Sequence, residues 1–242
     1  MGRRVLLALL AGLSIFLGQA APAADPVTLY YYERPPYFIT DGDGSISGLL
    51  AGPTRDAFDG AVIPYAFERT SVNRILEIIR DNAGRVCSPN WYMTAERARF
   101  AKFTKAIYRD KPLIGLASKG FHVAPGTRIA DLLAGKTLLT VTDGLSYGPY
   151  LDGLIARRDP SLLIHLPYGG PQMINMVLTG HTDLALTSET DAAAYASQGI
   201  GGPDYPLIHF PDLVVGDTRH IMCSRSVPDE EIDRLNQAIQ AP

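Results

Sequence analysis

The chain has 242 residues, with 22 Lys and Arg against 25 Asp and Glu, a formal charge of −3 and 46% hydrophobic residues. That composition excludes a disordered chain, and cations scattered without a basic stripe exclude a nucleic-acid or membrane-surface binder. The length suffices for one full core or two modest ones.

At the N-terminus, Arg3 and Arg4 precede an apolar run, 5–17, and then small residues. Ala21-Pro22-Ala23 has the A-x-A form, with Gly18-Gln19-Ala20 as the other candidate. The run is short of the roughly 20 residues a membrane span requires. Residues 1–23 therefore read as an export signal whose removal leaves no membrane anchor. No cysteine stands there to carry a lipid. The expectation is a soluble, periplasmic, monomeric product.

Short stretches rich in apolar, β-branched and aromatic residues predict strands at 27–33, 62–68, 85–88, 112–117, 137–142, 162–166, 183–187, 207–210 and 219–224. Helical spacing lies between them. Val72, Ile75, Leu76 and Ile79 repeat behind the capping residue Ser71, and Tyr147, Tyr150, Leu151, Leu154 and Ile155 form a second face. Further helices are predicted at 129–133, 173–178 and 232–239, behind Thr127, Pro171 and Asp229. This alternation predicts an α/β architecture with mixed, largely parallel sheets. From Leu207 two strands follow without a helix between them, as in a chain returning from one lobe to another.

Several segments carry a resemblance. The run 30–38 (YYYERPPYF), 91–103 (WYMTAERARFAKF) with Ile107-Tyr108, 137–147 (TLLTVTDGLSY) and 180–186 (GHTDLAL) resemble successive landmarks of the type 2 periplasmic solute-binding proteins. More narrowly, they are similar to the extracellular family 3 group that serves amino-acid ABC importers. The most specific piece is T-x-x-R-x-x-x-x-x-F, at Thr94, Arg97 and Phe103. The resemblance implies a two-lobed fold joined by two hinge strands, with a ligand in the cleft and an ABC permease as partner. Lobe one would take 24–111 and 219–242, and lobe two 112–218.

By that resemblance Arg97 grips the ligand carboxylate. The chemistry agrees, because a guanidinium meets a carboxylate with two parallel hydrogen bonds; the rival account is a surface arginine paired with Glu96. Tyr37, behind Pro35-Pro36, and Asn90, Trp91 and Tyr92, just past the 85–88 strand, fall at carboxyl ends of strands, where open α/β sheets receive ligands. Glu33 stands there too, either for a ligand ammonium or to hold Arg34.

Gly144-Leu145-Ser146-Tyr147-Gly148 admits two readings. As a G-x-S-x-G elbow it would make Ser146 a hydrolase nucleophile, completed by Asp183 or Asp212 and His209 or His220. As a turn into a helix it would let Ser146 and Tyr147 receive a polar ligand group. A dehydratase-like relative on the same scaffold would need Glu33 or Glu189 as its acid.

One departure from the family bears on the ligand. Amino-acid binders commonly carry an ammonium-binding Asp where this chain has Thr187-Ser188-Glu189, so Ser188 is the nearest match, unless it caps the next helix. A carboxylate other than an α-amino acid, or a larger amino-acid derivative, is therefore open. In the family's topology the returning strand lies beside the strand of Cys87, so Cys87 and Cys223 could bridge; two buried thiols are the alternative. The dispersed histidines, His122, His165, His181, His209 and His220, show no metal-ligand spacing, and neither metal nor cofactor is expected.

Overall fold

The computed structural model describes residues 25–167, 169–200, 206–240 and 242; the export-signal reading of 1–23 lies outside them. In chain order the elements are β1 (Val27–Tyr31), β2 (Ile39–Thr40), β3 (Ile46–Ser47), α1 (Ala51–Gly60), β4 (Tyr65–Arg69), α2 (Val72–Arg80), β5 (Val86–Tyr92) and β6 (Lys102–Arg109). Next come β7 (Leu113–Ala117), α3 (Ile129–Ala134), β8 (Leu139–Thr142), α4 (Pro149–Ile155), β9 (Leu163–Leu166), α5 (Pro171–Leu178), β10 (Leu184–Ser188), α6 (Glu189–Ser197) and β11 (Leu207–Ile208). Then β12 (Thr218–Cys223) and α7 (Asp229–Ala238) complete the described chain.

Ten strands form two five-stranded sheets in two lobes, β4-β1-β5-β12-β6 and β11-β7-β10-β8-β9, while β2 and β3 make a small hairpin-like pair of their own. Both five-stranded sheets are mixed. Pairings of β1 with β4 and β5, and of β8 with β9 and β10, are parallel. Every antiparallel pairing in these two sheets involves a strand next to a lobe crossing, namely β6, β7, β11 or β12. The largely parallel sheets predicted from the alternation are accordingly corrected to an even mixture, because the crossing strands enter and leave each sheet in opposite directions.

Each sheet is covered on both faces. Alternation along β1 sends Val27, Leu29 and Tyr31 into a core with Phe58 of α1 and Leu235 of α7, while Tyr30 and Tyr32 turn toward Ile75 and Ile79 of α2. In the second sheet, Ile129, Leu133 and Leu151 fill one side, and Met173, Ile174 and Val177 the other. Helix α2 starts as predicted, with Ser71 accepting from Arg74 N–H.

The chain passes between lobes after β6 and returns before β12. The crossings run together: Asp110 N–H donates to Asp217 O at 3.0 Å, and Arg109 Nη1 to Gly216 O at 3.3 Å. Cys87 and Cys223 face each other across β5 and β12 and form a disulfide.

Candidate functional site

The 85–88 strand of the sequence runs on to Tyr92 as β5, because Trp91 and Tyr92 pair with His220 and Arg219 of β12. Between the pairs His220↔Trp91 and Met222↔Ser88 the register slips, leaving Pro89 and Asn90 opposite Ile221. Pro89 has no N–H for the ladder, and Asn90 takes the left-handed region at φ 81°. This bulge re-aims the Asn90 side chain. Its Oδ1 accepts from Arg219 Nη1 at 2.7 Å, and its Nδ2 donates to the Tyr32 hydroxyl at 2.9 Å.

A cavity of about 470 Å³ lies between the lobes, within the range of small-molecule sites. Of the residues singled out in the sequence, Glu33, Asn90, Trp91, Tyr92, Arg97, Ser146 and Tyr147 line it. Arg97 is 8% exposed. A 3-10 turn beginning at Arg97 positions it, with Thr94 Oγ1 accepting from its N–H at 3.2 Å. Nη1 donates to Tyr92 O and Nη2 to Gly144 O, both at 2.9 Å, and the guanidinium lies 4.8 Å from the Trp91 ring centre. The Gly144 bond spans the two lobes. Among the described residues Arg97 forms no ion pair; Glu96, its proposed surface partner, goes to Arg80 at 3.7 Å. Burial lowers its pKa from the ordinary guanidinium value.

Two of the expected contacts do not line the cavity. Tyr37 is 1% exposed, its ring between Arg34 and Arg219, whose guanidiniums lie 4.7 and 4.9 Å from its centre. Burial, together with Asp191 and Asp110, pushes its hydroxyl pKa up to about 12. The loop after Pro36 folds the ring inward to cover these cations. Ser188 caps α6 instead, accepting from Asp191 N–H at 3.0 Å. Glu33 does not hold Arg34. It accepts from Thr40 N at 3.1 Å and Thr40 Oγ1 at 2.6 Å, and pairs with Arg69 at 3.5 Å.

Sequence reasoning missed three charged lining residues, Arg34, Asp191 and Arg219. Arg34 Nη2 meets Asp191 Oδ2 at 3.1 Å, a second contact between lobes. Although burial opposes the charge on Arg34, Asp191 holds its pKa well above the usual value. Arg219 is wholly engaged: Nε donates to Asp110 Oδ1 at 2.8 Å, Nη2 lies 2.6 Å from Asp110 Oδ2, and Nη2 also reaches the Tyr92 hydroxyl at 3.1 Å.

The hydrolase constellation is not assembled. Ser146 Oγ donates to Asp152 of α4 and accepts from Gly148 N–H at 3.1 Å. Asp183 accepts from Leu138 N–H at 2.8 Å, and Asp212 from Ile129 N–H at 2.8 Å at the start of α3. His209 bonds Glu189, while His220 bonds Thr104 O and Thr218. The dehydratase candidate Glu189 is outside the lining and also pairs with Lys111. No cluster of three or more His, Cys, Asp or Glu fit for a metal occurs among the described residues, nor does a helix long and apolar enough to cross a membrane.

No protein-family model matches the sequence, and no curated protein matches it. Solved structures do match along most of its length. The substrate-binding protein of an amino acid ABC transporter is 14% identical with a TM-score of 0.67, covering 88% of this chain and 91% of that chain. The arginine-bound form of truncated ArgBP from T. maritima is 13% identical, TM-score 0.67, covering 88% and 93%. The arginine-, lysine-, histidine-binding protein ArtJ from Geobacillus stearothermophilus is 13% identical, TM-score 0.69, covering 89% and 88%. At these identities the likeness is one of fold, the two-lobed α/β fold of periplasmic binding proteins.

Proposed function

We propose that the chain is an exported solute-binding protein that captures a small carboxylate-bearing molecule between its lobes and delivers it to an ABC-type permease. The observation that carries this is Arg97, a buried guanidinium with no ion-pair partner among the described residues, on the wall of an interlobe cavity. A buried charge without a counter-charge is costly, and a ligand carboxylate would supply the counter-charge through paired hydrogen bonds. Arg97 also touches the opposite lobe through Gly144 O, so ligand capture and lobe closure would draw on one side chain. The two-lobed fold and its solved relatives, which are described as binding proteins, support the same reading. Lobe boundaries at 24–111 with 219–242 and at 112–218, a removed signal at 1–23, and a periplasmic monomer belong to this proposal.

The test is a thermal-shift and calorimetric screen of small organic acids and amino acids, since a ligand held by the native state raises its melting temperature. Binding in the unsubstituted protein should weaken by about 2–5 kcal/mol in Arg97→Ala. Arg97→Lys, which keeps the charge but loses the fork, should retain an intermediate affinity. Unchanged affinity in both variants would remove Arg97 from the site.

A further inference from the structure

We infer that the ligand is an organic acid with an aromatic body and no ammonium group. This rests on the reading above, that the cavity captures a carboxylate, and narrows it.

The first argument is charge. The lining contains two carboxylates, Glu33 and Asp191, and each is held by protein groups through at least one oxygen. Asp191 Oδ2 accepts from Arg34 at 3.1 Å and from Ser188 Oγ at 2.9 Å. Its Oδ1 is buried without a hydrogen-bond partner and sealed even from a water-sized neighbour. Glu33 is bound by Thr40 and Arg69. Of the three lining guanidiniums, Arg34 is balanced by Asp191 and Arg219 by Asp110, which leaves Arg97. The acidic groups whose charge reaches Arg97 are Asp152 and Glu96. Asp152 accepts from Ser146 Oγ and Tyr147 N–H, and Glu96 pairs with Arg80. The wall therefore presents one guanidinium without an ion-pair partner among the described residues, and no carboxylate that is without a protein partner. An ammonium entering it would lose hydration and find no acceptor anion.

The second argument is shape and polarity. Tyr32, Trp91, Tyr92, Tyr147 and Tyr195 all line the cavity. Several of their polar ends are turned to protein partners: Tyr32 accepts from Asn90, Tyr92 donates to Asp110, Tyr147 accepts from Thr142 N–H, and Trp91 Nε1 donates to Ser88. These five side chains give the cavity aromatic surface, beside the polar side chains of Ser71, Thr187 and Gln198, and that surface favours an aromatic body in edge-on or stacked contact.

Matched pairs differing by the amino group provide the test: 3-phenylpropanoate against L-phenylalanine, and indole-3-propanoate against L-tryptophan. Each is titrated calorimetrically into purified protein that has been unfolded and refolded to release any bound solute. In at least one pair the acid should bind about ten-fold or more tightly than its amino acid, a difference of about 1.4 kcal/mol, and Arg97→Ala should abolish the signal. Equal or tighter binding of the amino acids would overturn the inference while leaving carboxylate capture intact. A response confined to non-aromatic acids in the wider screen would do the same. Silence from these four compounds and from every carboxylate in that screen would overturn both.

Discussion

Arg219 joins three segments with one side chain: the first lobe crossing at Asp110, the bulge at Asn90 and the end of β5 at Tyr92. Both members of its ion pair are buried, with side-chain exposures of 6% and 2%. Removing one partner of such a pair leaves an uncompensated charge, so Arg219→Ala should lower unfolding stability by about 3–5 kcal/mol in urea denaturation. Adding Asp110→Asn should recover part of that loss, because the stranded carboxylate disappears; a double variant no more stable than Arg219→Ala would argue against the pair as the cause. Arg219 was not legible in the sequence, since its partners lie more than a hundred positions away and only sheet register brings them together. The place of Arg97 on the cavity wall was legible only through the resemblance carried by Thr94, Arg97 and Phe103. Asp191 left a signal that went unused: Ser188-x-x-Asp191 has the spacing of an N-cap and its third helical residue, and it sets the Asp191 carboxylate beside Ser188 Oγ, 2.9 Å away.

Two elements that escaped sequence reading did so for different physical reasons. Strand β6 is an edge strand carrying Lys102, Thr104, Lys105 and Arg109, and edge strands tolerate charge because one side is unpaired; a search for apolar runs passes over it. Helix α1 contains Gly52, Pro53 and Gly60, yet Ala51, Thr54, Ala57 and Phe58 bury one face at helical spacing, and proline is tolerated in a first turn. The central strands were legible because both their faces are covered. Among these, β5 and β12 are further joined by the Cys87–Cys223 disulfide, which closes a loop with a sequence separation of 136. A crosslink of that span restricts the unfolded chain strongly, so Cys87→Ala with Cys223→Ala should cost about 2–5 kcal/mol of unfolding stability. Denaturation of the double variant beside the unsubstituted protein, both without reductant, measures it; coincident curves would assign the staple no thermodynamic role.

At the scale of the whole molecule, polar contacts join the lobes: Arg34 to Asp191, Arg97 to Gly144 O and Tyr37 to Ser188, with Lys111 to Glu189 outside the cavity. Polar contacts can be exchanged for contacts with water, which suits lobes that must separate to admit a ligand. Their separation depends on the paired crossings, and there Gly216 sits against backbone. A β-carbon at Gly216 would come within 1.9 Å of Asp110 O and 2.6 Å of Lys111 O. Main-chain atoms cannot yield as a flexible side chain does, so Gly216→Val must push the two crossings apart. The expected outcome is a stability loss of about 1–3 kcal/mol from overpacking, together with a change in how the lobes meet. Small-angle scattering should then show the ligand-saturated variant with a larger radius of gyration than the ligand-saturated unsubstituted protein, because Arg97 can no longer reach Gly144 O when the crossings splay. Identical scattering with unchanged ligand affinity would mean that the crossings do not set the closed geometry, and that the cavity contacts alone determine it.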